Sequence, residues 1–150
     1  MKIFLLMAIL NTYDCLTVSN TAILRSNVNI IEAYLKAKEK VMQENATKDD
    51  VEDLVAFYAD SLYYEHILSP EKRFILKAKE DLRNGYMDHL GETRNVKITL
   101  INHIEKQNVV IAEYSIQREI ISTGKTEKSN TVSFYELDES GKIKHVIDYL

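Results

Sequence analysis

A chain of 150 residues, 45% hydrophobic and 28% charged, is long enough for one ordinary domain and leaves no room for a second, and it has neither a disordered nor a fibrous composition. Its net charge of -4, with no run of Lys or Arg longer than two, argues against the clustered positive surface that displaces counterions from nucleic acid. The one cysteine, Cys15, rules out an internal disulfide and a thiolate metal cluster.

The chain opens with Lys2 and an apolar run, Ile3 to Leu10, too short to span a bilayer as a helix, so no stable membrane insertion is expected. Two readings stay open for residues 1–19. One is a signal peptide ending near Thr17-Val18-Ser19, which makes the protein secreted or periplasmic; the other is an element packed on a cytoplasmic domain. From Asn27 to about Ala46, the residues Val28, Ile31, Leu35, Lys38 by its stem, and Met42 recur at helical spacing and predict an amphipathic helix. Asn45, Thr47 and Asp49 supply turn and cap chemistry, and the stripe Val51, Leu54, Val55, Tyr58 predicts a second helix. Leu62 to Ile67 is aromatic-rich and reads as a strand, with Pro70 in the loop beyond it. A third helix is predicted over Lys77 to Leu90, where Ala78, Leu82, Tyr86 and Leu90 share one side.

The remainder alternates apolar and polar residues, as half-buried strands do. Val96, Ile98 and Leu100 form one set, and Val110, Ala112, Tyr114 and Ile116 form another. Polar connections at Glu105 to Asn108, Ser122 to Lys125 and Asp138 to Gly141 join these strands into an antiparallel meander. Alternation allows only one of Tyr63 and Tyr64 to line an interior. Tyr114 shares its parity with Arg118, a residue suited to a ligand carboxylate or phenolate, or to an ion pair at the rim. Tyr58 and Tyr135 suit either a core or a mixed polar and aromatic pocket. His103, His145 and Asp148 lack metal-ligand spacing, and neither a nucleophile elbow nor a phosphate loop occurs, so no metal or cofactor is expected.

Leu54-Val55-Ala56-Phe57-Tyr58-Ala59-Asp60, the Lys77 to Leu90 helix and Gly141-Lys142-Ile143 resemble, in this order, the SnoaL-like branch of the nuclear transport factor 2-like superfamily. The resemblance implies an α+β domain over residues 27–150, a cone in which a curved antiparallel sheet wraps around the N-terminal helices and leaves a cavity at its open end. Such cones often form homodimers through the outer sheet face. Counting forward from Tyr58-Ala59-Asp60, the place of the catalytic aspartate in steroid-isomerase relatives falls on His66. Counting back from Gly141-Lys142-Ile143, the place of their acidic oxyanion donor falls on Ser133. Three functions stay open. One is binding of a small apolar or aromatic molecule with a polar group, through Tyr58, Tyr63, Tyr114, Arg118, Ser133 and Tyr135. The second is cofactor-free isomerase, cyclase or dehydratase chemistry with His66 as the base, and the third is a dimerisation module without ligand.

Overall fold

The computed structural model describes residues 26–149; residues 1–19, with their two readings, lie outside the described residues. The elements run α1 (Asn27–Val41), α2 (Lys48–Val55), β1 (Tyr58–Ser69), β2 (Lys72–Leu76), α3 (Lys79–Asp88), β3 (Thr93–Lys106), β4 (Val109–Ile120), β5 (Lys125–Leu137) and β6 (Ile143–Tyr149). They form the expected α+β architecture, three helices and one curved, unclosed sheet.

Helix α1 buries Ile31, Tyr34, Leu35, Lys38 and Val41, one face at the spacing seen in the sequence. It stops before the predicted Ala46 because Gln43 N–H turns back to Lys40 and Ala46 N–H to Gln43, which tightens the chain into turns. Its first turn carries no acidic residue, and Ser26 provides no side-chain cap. Glu105, at the end of β3, supplies the missing acceptor: it takes hydrogen bonds from Asn27 N–H at 2.8 Å and the Ser26 hydroxyl at 2.5 Å. Helix α2 begins with a reciprocal cap between Thr47 and Asp50 and buries Val51, Leu54 and Val55. The sequence stripe extended this helix to Tyr58. In the structure Tyr58 is the first residue of β1 instead, because Phe57 C=O accepts from Ile143 N–H at 2.8 Å and Tyr58 pairs with Ile143.

The sheet order is β2-β1-β6-β5-β4-β3. The predicted meander of β3 to β6 is present, and β2 adds an antiparallel hairpin on β1 that the sequence reading missed. One seam departs from an all-antiparallel sheet: β6 lies between β5 and β1 and runs parallel to β1. The turn into β6 depends on Gly141, whose φ of 78° and 3.2 Å clearance between an added Cβ and Ile30 leave little place for another residue.

The helices cover one face of this sheet. Glu39 accepts from Ile98 N–H at 2.6 Å, and Gln43 both donates to Val96 C=O and accepts from Val96 N–H, so α1 and the turn after it cover backbone groups that edge strand β3 would otherwise leave unpaired. Val96, Ala112 and Tyr114 are buried against the helices, with Ile98 and Ile116 half-buried beside them. Leu54 is fully buried between layers, so Leu54→Ala is expected to cost about 2–5 kcal/mol in a denaturant titration. A loss below about 0.5 kcal/mol, typical of a surface site, would contradict this packing.

Candidate functional site

Residues facing the helices fall into transverse rows, because paired strands set their Cα partners opposite one another. One row crosses four strands as Ala112, Ser133, Asp148 and His66. The neighbouring row reads Val110, Tyr135, Val146 and Tyr64, and on the other side Leu100, Tyr114 and Thr131 stand opposite one another. The parallel seam matters here, since it is what sets His66 beside Asp148.

Asp148 is the centre of a buried polar network. Its Oδ2 accepts from the Tyr64 hydroxyl at 2.5 Å and its Oδ1 from the Ser133 hydroxyl at 2.5 Å. Ser133 has one proton, so having given it to Asp148 it accepts from Tyr114, 3.1 Å away. Tyr114 in turn accepts from Lys38 Nζ of α1 at 3.4 Å, and that ammonium is 4.0 Å from Asp148 Oδ2. Every donor in this chain points toward the carboxylate. The Lys38 and Asp148 side chains are 9% and 1% exposed, so the pair has almost no water to screen it or satisfy it.

His66 Nδ1 lies 3.9 Å from Asp148 Oδ2, and its ring is tilted against that of Tyr64 at a centroid distance of 4.8 Å. With 29% of its side chain exposed, His66 is the member of the network that reaches solvent. Burial pushes its pKa below the usual histidine value; the Asp148 charge opposes this shift and the Lys38 charge adds to it. Burial also raises the Tyr64 phenol well above its ordinary range, and the Asp148 charge raises it further, so Tyr64 stays a donor. For Lys38 burial favours the neutral amine, but the oxygens of Tyr114, Tyr86 and Asp148 outweigh it and hold the pKa above the ordinary lysine value.

The structure brings together three of the residues singled out in the sequence, His66, Tyr114 and Ser133. Tyr58 and Tyr135 are fully buried behind them; the Tyr58 hydroxyl donates to Tyr34 at 2.8 Å. Tyr63 stands on the outer face with its ring against His145, and Tyr64 takes the inward position, because the pairing with β6 sets that parity. Arg118 lies farther along β4 and pairs with Glu127 at 3.2 Å, at the rim of an open cleft of about 360 Å³. A second open cleft, about 540 Å³, lies on the outer side around Glu65, Ile67, Arg73, Ile147 and Tyr149, away from the Asp148 carboxylate. Lys38 and Asp148 are the site residues that sequence reasoning missed, and Tyr64 takes the place expected of Tyr63. A lysine in the apolar stripe of α1 was the available signal for the first.

The model of the SnoaL-like domain matches residues 40–146, well over half of the chain. The chain belongs to the SnoaL-like domain family. Among solved structures, an LEH-like epoxide hydrolase of M. tuberculosis superposes with a TM-score of 0.62 at 16% identity, covering 82% of this SnoaL-like chain and 80% of its own. An NTF2-like protein of unknown function from Exiguobacterium sp. 255-15 gives 0.58 at 9% identity, covering 77% and 95%. At these identities the likeness is one of fold. No curated protein matches the SnoaL-like chain in sequence.

Removing the cation from the buried pair leaves a carboxylate without its partner. Lys38→Met is therefore expected to lose about 3–5 kcal/mol of stability, and adding Asp148→Asn should recover part of that loss. Denaturant titration of both single variants and the double variant checks this coupling; simple additivity would contradict it. The depressed His66 pKa predicts that stability is full above about pH 6.5, where folded and unfolded imidazoles are both neutral. Stability then falls as pH drops toward the folded-state pKa, because the unfolded chain takes up the proton first. An NMR titration placing the folded His66 pKa above about 6.5 would reverse that sign.

Proposed function

We propose that this SnoaL-like domain binds a small molecule at the His66 end of the Asp148 row and uses His66 as the base in cofactor-free proton transfer. The supporting observation is a partly exposed imidazole beside the carboxylate of a buried, hydroxyl-satisfied ion pair. A core needing only cohesion is better served by apolar side chains, since burying two charges costs more than their attraction returns unless the geometry is good. Such a departure is expected where residues serve function.

In this reading His66 begins neutral, as its lowered pKa favours, and accepts a proton from bound substrate or water. The imidazolium that forms is stabilised by Asp148, whose orientation is held by Tyr64 and Ser133. Lys38 balances the carboxylate before the proton moves. Two probes test the chemistry broadly: deuterium exchange at the α-carbon of cyclohexanone, and hydration of styrene oxide, chosen because one structural neighbour is described as an epoxide hydrolase. Turnover should rise as pH passes upward through the His66 pKa, below about 6.5, and His66→Ala should lower it roughly 100-fold or more. If the probes bind but neither reacts in the unaltered protein, the function reduces to binding alone.

The reading extends to a homodimer through the outer sheet face. There Ile104, Ile111, Phe134 and Ile147 form an apolar row across β3 to β6, with Val132 and Tyr149 exposed beside it. Light scattering should give twice the chain mass, and Ile111→Glu should shift it to one chain mass. A single-chain mass for the unaltered protein would remove the dimer from the proposal.

A further inference from the structure

Thr131 shares the inner face of β5 with Ser133, stands opposite Tyr114 and is 1% exposed, yet it takes no part in the network around Asp148. Among the described residues its hydroxyl has no hydrogen-bond partner. An unmet hydroxyl in a core costs stability, and valine would fill nearly the same space without one, so packing alone does not account for a threonine here. Leu100 and Tyr114 lie in its own row, Ile98, Ile116 and Ser129 in the next, and Ser133 in the row on the other side, so its apolar neighbours are Ile98, Leu100 and Ile116.

The cations on this face are already paired or neutral. Lys38 and Asp148 offset each other, Arg118 is paired with Glu127, and His66 releases its proton readily. An anionic ligand group entering here would lack a counter-ion and would meet the Glu39 carboxylate, and an ammonium would have to draw that carboxylate off the Ile98 N–H it accepts from, so either ion is disfavoured in a dry site. A threonine hydroxyl can donate and accept, which suits a neutral hydroxyl or carbonyl oxygen. We propose that Thr131 is a ligand-binding residue, and that the site selects neutral molecules that place an oxygen on Thr131 and an apolar body on Ile98, Leu100 and Ile116. This rests on the reading that the inner face takes a small molecule, and it adds the class of that molecule.

Four probes of similar size separate the possibilities by NMR titration at neutral pH: 4-methylphenol, toluene, 4-methylbenzoate and 4-methylbenzylammonium. The unaltered protein should bind 4-methylphenol at least about tenfold more tightly than either ion. Thr131→Val should weaken 4-methylphenol about tenfold and leave toluene unchanged, while raising the melting temperature of the unliganded protein. Thr131→Ser should keep the affinity for 4-methylphenol. Tighter binding of either ion overturns the neutral class. A Thr131→Val protein that melts lower and binds 4-methylphenol as well as before overturns the role of Thr131, because its hydroxyl is then structural. Binding of none of the probes overturns this inference and the ligand reading beneath it. If the neutral probe is selected but no proton exchange occurs, only the catalytic role of His66 fails.

Discussion

A lysine ammonium and an aspartate carboxylate held 4.0 Å apart under a layer of helix make the central demand on this structure. Neither charge is tolerable there alone. The surrounding hydroxyls resolve the problem by donating in one direction, from Lys38 through Tyr114 and Ser133 to Asp148, with Tyr64 closing the other oxygen. That requirement ties α1 to the sheet at a specific depth, because Lys38 reaches from the helix to Tyr114 and Asp148. It also ties β1 to β6, since Tyr64 and Asp148 come from strands that meet only at the parallel seam. The polar site is thus part of what aligns the two layers.

Much of the architecture was legible because each layer has its own period. Val110, Ala112 and Tyr114 alternate on a strand that is covered on one side, and Ile31, Leu35 and Lys38 repeat on a helix that packs by one face. The failures lie where a pattern is short or is shared between two states. β2 offers only Lys72 to Leu76, with Arg73, Phe74 and Ile75 all exposed, so it shows no buried face to alternate with. Tyr58 continues a helical stripe by spacing, but a strand partner 85 positions away claims it. The choice between Tyr63 and Tyr64 depends on register, which local sequence does not carry.

The site was less legible than the fold for the same reason. It is a row across strands, and its members are far apart in the chain: Ser133 and Asp148 face each other by antiparallel pairing, His66 and Asp148 by parallel pairing. No spacing motif can describe such a row. Asp148 drew notice only as a metal ligand, and Lys38 only for the apolar stem that let it fit its helical stripe. Membership in the SnoaL-like family explains the scaffold that makes the row possible, while the chemistry rests on which side chains occupy it.

The position of β6 in the sheet affects how the protein is made. It follows the other strands of the described residues in chain order and occupies an interior place, between β1 and β5. As the chain emerges from the ribosome, the β1–β2 hairpin and the β3–β5 meander are therefore two separate pieces, each with an open edge and each lacking Asp148. Their union waits for β6, which joins both edges and delivers the carboxylate in the same event. A nascent chain has neither a continuous sheet nor a polar centre until then, and during that interval its apolar inner surfaces are candidates for chaperone capture.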